Sequence, residues 1–295
     1  MHLSDDSQKR GGAMRENRKK KIKQAVFETI GVLISFLVLI PFLMVLVNSM
    51  KSKRQANLLQ LNLKGISLGQ IVENYGTVIK EARLVSSFLN SAIVTFCGSA
   101  LVLTFASMAA FVVVRRKTKA MKAVNNFIVM GLTLPLAMVP VYFLLSKVHM
   151  TTGTGAVAGA ILVYAASIFP FIFFIYTGFI KGISGEIDEA AIIDGASPLL
   201  MYFRIIFPLL KPVTITALMH CVMTIWNDFG ISLYLLNSAK RTTAVLTTYL
   251  FMGQKASDWQ LLFADVVLVS MPIVILYLCM QKYIVAGLSD GAVKG

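Results

Sequence analysis

Residues 189–198 read EAAIIDGASP, a short charged segment between two long apolar runs. The two alanines favour a helix, and Gly195 suits the left-handed conformation that often ends one. Ser197 and Pro198 can form the N-cap and first position of a second helix, which then starts at once in a new direction. Ser184 can cap the first helix, whose acidic first turn suits the positive end of the helix dipole. The segment predicts a rigid helix–turn–helix in a loop that faces water.

One face of the first predicted helix carries small or apolar residues. Ile187, Ala190, Ala191 and Asp194 follow one another at helical spacing, so they share this face. An alanine surface of this kind is shallow and is suited to a cleft in a partner protein. The alternative is a helix that lies on lipid, but such helices carry a bulky apolar face opposite a basic one. The pattern therefore favours a protein contact.

The composition places the chain in a membrane. Apolar residues make up 57% of the sequence and charged residues 14%, where about 25% is usual for a soluble chain. The formal net charge is +14, but the basic residues form clusters, eight of them in 9–23 and five in 115–122. Both clusters adjoin apolar runs, as the loops on the inner side of a membrane do. No aromatic-interleaved basic motif accompanies them, so nucleic acid is not an expected partner.

The hydropathy pattern predicts an all-α membrane protein with six transmembrane helices. The first run is too long for a signal peptide and is expected to stay as an anchor. The predicted spans are residues 29–50, 84–114, 123–146, 150–180, about 212–236 and about 261–283. The three cysteines all lie inside these runs without metal-type spacing, so they are interpreted as small buried hydrophobic residues and no metal site is expected.

The basic residues predict that both chain termini lie in the cytoplasm. With this orientation 18 Lys and Arg face the cytoplasm and ten face outward, although the outer segment 51–86 carries six of those ten. The first span and its flank usually dominate the orientation, so the two dense clusters decide it. The predicted organisation is a basic tail (1–25), a first helix with an outer segment (26–85), a five-helix core with a cytoplasmic loop at 181–211 (86–284) and a C-terminal tail (285–295).

Four motifs in order resemble a known family. The run from Glu189 to Ala196, with Phe203, Ile206, Pro208 and Pro212 after it, resembles the EAA signature of permease subunits of binding-protein-dependent ABC importers. Three further motifs are similar to the sugar-transporting branch, namely Asn74-Tyr75 with Asn90-Ser91, WNDF at 226–229 and GLSDGAVKG at 287–295. The chain departs from the family pattern at Ser184-Gly185, where proline is common, and at Asp265, where a small apolar residue is usual.

The resemblance implies a type I ABC importer permease fold and a mechanism. The helix–turn–helix would be the coupling helix that docks in a cytoplasmic ATPase subunit. The chain has no G-x-x-x-x-G-K-[ST] sequence, so we expect ATP to be bound by that partner, and the chain to be no enzyme and to bind no cofactor. The implied coupling residues are Glu189, Ala190, Ala191, Asp194, Gly195, Ala196 and Pro208.

The resemblance also implies the partners and the location. The expected partners are a second permease subunit, two ATPase subunits, an extracytoplasmic sugar-binding protein and the lipid bilayer. The chain would be a multi-pass protein of a bacterial or archaeal plasma membrane. Gly291 and Lys294 in the C-terminal tail would reach toward the ATPase dimer.

Polar residues inside the predicted spans are candidates for the solute path. Asp228 stands beside Trp226 and Asn227, a set that offers indole stacking and hydrogen bonds to a sugar or a gate. The other interpretation is a polar group that fixes helix packing or reaches the outer interface. For His220 we favour packing, and for Asp265 an interfacial position.

Other functions stay open on these residues. A permease of the same fold for another solute, such as a polyamine or glycerol phosphate, shares the coupling motif. A polytopic membrane enzyme is a distant alternative, because no H-E-x-x-H motif occurs and the three histidines lie far apart. The identity of the sugar does not follow from the sequence.

Overall fold

The computed structural model describes residues 3–253 and 258–292, and within them every regular element is helical. The chain divides into two compact units, Met1–Asn74 with Ser257–Ala264, and Tyr75–Ala256 with Asp265–Gly295. The helices are α1 (Leu3–Ser49), α2 (Lys53–Ala56), α3 (Leu68–Glu81), α4 (Leu84–Arg115), α5 (Lys119–Met130), α6 (Met138–Lys147), α7 (Gly153–Lys181), α8 (Glu186–Ile193), α9 (Pro198–Met201), a π-helix (Tyr202–Ile206), α10 (Phe207–Leu209), α11 (Lys211–Trp226), α12 (Gly230–Leu235), α13 (Ala244–Gly253) and α14 (Trp259–Ala292).

Four of the described helical segments are long and apolar enough to cross a membrane, and a bent pair of helices makes a fifth. They are Ile22–Ser49, Leu84–Arg115, Gly153–Lys181 and Trp259–Gln281, with Pro198–Leu209 and Lys211–Trp226 as the bent pair. These segments correspond to five of the six predicted spans. The all-helical membrane class is confirmed, and the count of six stays a prediction.

The predicted span at 123–146 is not one helix. It is divided between α5 and α6, with a break at residues 131–137. Pro135 lies in this break, and proline has no backbone N–H to continue a helix. A proline inside a span is expected to kink its helix, and here the helix is interrupted altogether.

In the first unit, a buried lysine joins the end of α1 to the segment that follows it. Lys51 is 1% exposed, and its Nζ donates to Asn48 Oδ1 at 3.2 Å and to the carbonyl of Gln60 at 2.6 Å. The Asn74 amide donates to the carbonyls of Ser49 and Lys51 at 2.8 and 2.9 Å. Because buried polar groups are costly without partners, these bonds fix α3 to the end of the first span.

In the second unit, α4 packs against α7, and α11 contacts both helices. Small side chains lie where these helices meet: Ala106 and Ala110 on α4 and Ala160 on α7 are fully buried. A Cβ added at Gly98 would lie 3.0 Å from Ile225 Cδ1 on α11, so the Ile225 side chain packs directly on the α4 backbone there. Close contact through small residues is the usual packing of membrane helices. The resulting core supports α8 and α9 at one end of α4 and α7.

Candidate functional site

The candidate site, which we call the elbow, consists of α8, the turn after it, α9, the π-helix and α10, residues 186–209. Its first helix, α8, begins at Glu186, and the cap position is Gly185, not the predicted Ser184. Gly185 already has helical angles (φ −68°, ψ −19°), and its carbonyl accepts from the N–H groups of Asp188 and Glu189. Ser184 Oγ still accepts from the N–H of Glu186 at 3.3 Å. The helix therefore starts one residue later than a Ser184 cap implies.

The end of α8 is the glycine stop that the sequence predicts. Gly195 has φ +77°, in the left-handed region. Its N–H bonds the carbonyl of Ile192 at 2.9 Å, and the N–H of Ala196 bonds the carbonyl of Ala191 at 2.9 Å. This pair of bonds is the Schellman motif, which satisfies carbonyls at a helix end. The direction in which the chain leaves α8 is thus fixed by main-chain hydrogen bonds.

The second helix starts as predicted and then bends. Ser197 Oγ accepts from the N–H of Leu200 at 3.3 Å, and Pro198 occupies the first turn of α9. The N–H of Phe207 reaches the carbonyl of Tyr202, five residues back, and Pro208 follows, which has no N–H to donate. The segment Pro198–Leu209 and helix α11 meet at 78°. The elbow is therefore joined directly to an apolar helix of the core.

The two faces of α8 differ in exposure. Ala191 is 4% exposed and belongs to the hydrophobic core, while Ala190 and Glu189 are exposed. Ile193 is 85% exposed, although it was not among the predicted contact residues. The predicted face with Ala190 and Ala191 together is therefore divided, and Glu189, Ala190 and Ile193 form the outward face at i, i+1 and i+4 spacing.

The remaining predicted coupling residues lie around the turn. Asp194, Gly195 and Pro208 are exposed, and Ala196 is half-buried against the core. Tyr202 is buried beneath them, and its hydroxyl lies 2.6 Å from Ser107 Oγ on α4. The elbow is held to the core at Ala191 and at Tyr202, so the surface that its other residues expose is fixed in orientation.

Arg115, the last residue of α4, joins that helix to α8 and was not predicted from the sequence. Its guanidinium forms an ion pair with Asp188. Its Nη1 and Nη2 donate to the carbonyl of Ile183 at 3.2 and 3.3 Å. The side chains of Arg115 and Asp188 are 20% and 15% exposed, so water screens the pair incompletely. The sequence offers one indication of this contact, because Arg115 is a cation at the end of an apolar run and Asp188 lies in an acidic loop.

Asp228, a predicted solute-path residue, accepts several hydrogen bonds within the protein. Tyr164 donates its hydroxyl to Oδ1 at 2.7 Å, and the N–H groups of Ile231 and Ser232 donate to the same oxygen at 2.8 and 3.3 Å. The carboxylate thus satisfies the first turn of α12 and connects it to α7. This arrangement favours the packing interpretation of Asp228, and its role in transport stays a prediction.

The neighbours of Asp228 lie in different surroundings. Trp226 is 8% exposed, and its indole N–H donates to the carbonyl of Val269 at 3.3 Å. Asn227 is exposed at the end of α11. The structure therefore separates the three predicted residues into a buried indole, a capping carboxylate and one accessible amide.

Two further groups from the sequence analysis have defined positions. Asp265 is fully buried within the protein and accepts hydrogen bonds from the hydroxyls of Thr247 and Thr248, and its predicted position near the membrane interface stays a prediction. The ring of His220 packs against Phe171 at 4.3 Å, consistent with packing. Among the described residues, no cluster of three His, Cys, Asp or Glu side chains is arranged to hold a metal ion. Gly291 lies within α14, and Lys294 lies outside the described residues.

Residues 102–290 match the family described as the binding-protein-dependent transport system inner membrane component. The chain belongs to this family. The family predicted from the four motifs is thereby confirmed, and the chain is a multi-pass plasma-membrane protein. The match contains the whole elbow, together with most of the helical core against which it packs.

Relatives of this permease family extend over nearly the whole chain. The melibiose/raffinose/stachyose import permease protein MelC of Bacillus subtilis is 34% identical over 285 residues, 96% of this chain and 100% of its own length. The probable starch degradation products transport system permease protein AmyC of Thermoanaerobacterium thermosulfurigenes is 31% identical, over 94% of this chain and 99% of its own.

The fold of the permease family is also present in a solved structure. A chain in the crystal structure of a bacterial ABC transporter involved in the import of the acidic polysaccharide alginate superposes with a TM-score of 0.75. The match covers 90% of this chain and 98% of that one, at 20% sequence identity. The predicted ABC importer permease fold is confirmed by this likeness.

Proposed function

We propose that this permease is the membrane subunit of an ATP-driven importer that carries a sugar, and that the elbow couples it to a separate ATPase subunit. The observation that carries the proposal is the geometry of the elbow. Gly195 ends α8 with a Schellman motif, Ala191 anchors α8 to the core, and Ile193 is left 85% exposed. A large apolar side chain on a helix fixed at both ends is suited to a protein partner.

The proposed coupling follows from how the elbow is held. ATP binding would close two ATPase subunits. The ATPase subunit that holds the elbow in its groove would then move the elbow. Because α8 is joined to α4 through Arg115 and to α11 through the 78° bend, the elbow transmits that movement to both helices. Glu189, Ala190 and Ile193 would contact the ATPase, with Asp194, Ala196 and Pro208 beside them. The chain itself would bind no ATP.

The proposed solute is an oligosaccharide. Two full-length relatives are named for sugar or starch-product transport, and one of them for melibiose, raffinose and stachyose. Among the predicted path residues, Asn227 has an exposed amide that can bond a sugar hydroxyl. A polyamine would need a carboxylate, and Oδ1 of Asp228 already accepts three hydrogen bonds within the protein. Glycerol phosphate would need a cation, which Trp226, Asn227 and Asp228 do not provide.

The proposed partners account for surfaces that this chain leaves exposed. The side chains of residues 22–43 are exposed along α1, so a second permease subunit and lipid would cover them. An extracytoplasmic binding protein would deliver the sugar on the opposite side from the elbow. Gly291 and Lys294 would contact the ATPase dimer, with the N- and C-termini in the cytoplasm.

Uptake by cells that carry or lack this chain tests the proposal. We expect labelled raffinose or a related oligosaccharide to enter only cells with the complete transporter, and Glu189→Ala to reduce uptake without reducing the amount of chain in the membrane. Labelled putrescine and glycerol 3-phosphate are the alternative solutes. Import of either of these, with no oligosaccharide import, would contradict the sugar assignment and leave the coupling role intact.

A further inference from the structure

Beside the elbow lies a groove of about 1330 Å³. It is lined by the end of α4, the linker after it and the start of α5, together with the end of α7, the start of α8 and part of α9. All of these segments belong to the second unit. The groove therefore adjoins the coupling surface: Glu189 of the outward face lines it, and Ala190 and Ile193 do not.

The groove is strongly basic. Six cations line it and two carboxylates, Asp188 and Glu189, oppose them, which leaves an excess of four positive charges. Arg115 pairs with Asp188. Within the described part of the chain, the other five cations make no ion pair with a carboxylate. They are Arg116, Lys117, Lys119, Lys122 and Lys181.

Apolar side chains line the groove together with the cations. They include Val112, Val114, Met121, Ile183 and Ile192. An occupant that satisfies both kinds of surface is an amphiphile with an anionic end. Clusters of cations at the cytoplasmic end of membrane helices are the usual binding sites of anionic lipid head groups.

Helix α5 begins with cations and ends with exposed apolar side chains. Lys119 and Lys122 line the groove, one helical turn apart. Phe127 and Met130 are 78% and 64% exposed, as expected for side chains that contact lipid. A lipid bound in the groove would therefore remain continuous with the bilayer.

We propose that this groove, which adjoins the elbow, binds the phosphate head group of an anionic phospholipid. The phosphate would lie among the unpaired lysines, and the acyl chains would follow the apolar wall. A soluble anion would use the cations and leave the apolar wall in water. An acidic surface of the ATPase would meet the elbow at its outward face, where Ile193 is exposed. The proposal rests on the cytoplasmic orientation included in the proposed function.

The test measures lipid binding to the purified transporter complex, and to this chain purified alone, by native mass spectrometry. The probes are phosphatidylglycerol, phosphatidylcholine with matched acyl chains, and inorganic phosphate as a competitor. The variant is Lys119→Gln/Lys122→Gln, and the charge-retaining variant is Lys119→Arg/Lys122→Arg. A matched control, Lys64→Gln/Lys80→Gln, removes two exposed cations far along the chain from the groove.

We expect phosphatidylglycerol to bind in preference to phosphatidylcholine, and each glutamine in the groove to weaken its binding by about 5-fold. The arginine variant and the control should bind as the unmodified chain does. Equal binding of the two lipids, or equal loss in the control, would overturn the proposal. Displacement of the lipid by inorganic phosphate would also overturn the proposal, because it would indicate a soluble anion. Loss of the ATPase subunits from the glutamine variant with unchanged lipid binding would overturn it as well, because it would indicate an acidic protein surface. A chain that binds the lipid but recruits no ATPase would contradict only the proposed function.

Discussion

Arg115 at the end of α4 and Asp188 in the first turn of α8 form an ion pair that joins the transmembrane core to the elbow. The same guanidinium donates two hydrogen bonds to the carbonyl of Ile183 in the intervening turn. One side chain thus fixes both the start of α8 and the loop that leads to it. A movement imposed on α8 would reach α4 through this contact.

If the pair transmits movement, its two residues should act as one unit. We expect Arg115→Ala and Asp188→Ala each to lower solute-stimulated ATP hydrolysis roughly tenfold, equivalent to about 1.4 kcal/mol, and the double variant to lower it no further. The measurement is the ATPase rate of the reconstituted complex. Lys64→Ala, which removes an exposed cation elsewhere, should have no effect. Additive losses would show that the two residues act independently.

Gly195 should tolerate substitution poorly because its φ of +77° strains any residue with a Cβ. No atom lies within 4 Å of an added Cβ there, so the cost is conformational, about 1–2 kcal/mol. We expect Gly195→Val to insert normally and to abolish uptake, and Gly195→Asn to retain part of it because asparagine adopts this conformation more readily. Membrane insertion and uptake are measured on the same cells.

Gly185 provides a matched control for that prediction. It lies in the same loop, has φ −68° and has open space around an added Cβ. Gly185→Ala should therefore leave uptake unchanged. A similar loss in both variants would mean that the loop needs small residues, and that the left-handed conformation is not the reason.

Ile193 should carry a large part of the contact with the ATPase. It is 85% exposed beside Glu189, and a large apolar side chain that becomes buried contributes about 1.5–3 kcal/mol. We expect Ile193→Ser to weaken retention of the ATPase subunits at least tenfold during purification. Leu63→Ser is the control, since Leu63 is 74% exposed in the other unit. Full retention of the ATPase by the Ile193 variant would move the contact elsewhere on the elbow.

The sequence predicted the elements of the fold that depend on neighbouring residues. The glycine stop at Gly195 and the Ser197-Pro198 restart need only local hydrogen bonds, and both are confirmed. Long apolar runs likewise predicted the helices of the core. At 123–146 the apolar run with Pro135 predicts a kinked helix, whereas the structure divides the run into α5 and α6.

The sequence could not predict which side of each helix is buried. Ala191 and Ala190 are equivalent in type, yet only Ala191 packs into the core, because the angle of α8 depends on tertiary contacts. The same holds for Arg115, whose partner Asp188 lies 73 residues along the chain. Long-range pairs of this kind cannot be predicted from one sequence, although a cation and an acid are residue types that can form such a pair.

Asp228 and Asn227 should respond differently to substitution because one is bonded within the protein and the other is exposed. Asp228→Ala removes an acceptor of three hydrogen bonds, so we expect less chain in the membrane and a lower maximal uptake rate, with an unchanged half-saturation concentration. Asp228→Asn keeps an oxygen for the N–H groups of α12 and should restore most of the rate. Asn227→Ala should leave the amount of chain unchanged and raise the half-saturation concentration for the sugar. Uptake measured over a range of solute concentrations separates these effects, and a raised half-saturation concentration in Asp228→Asn would place the carboxylate itself on the solute path.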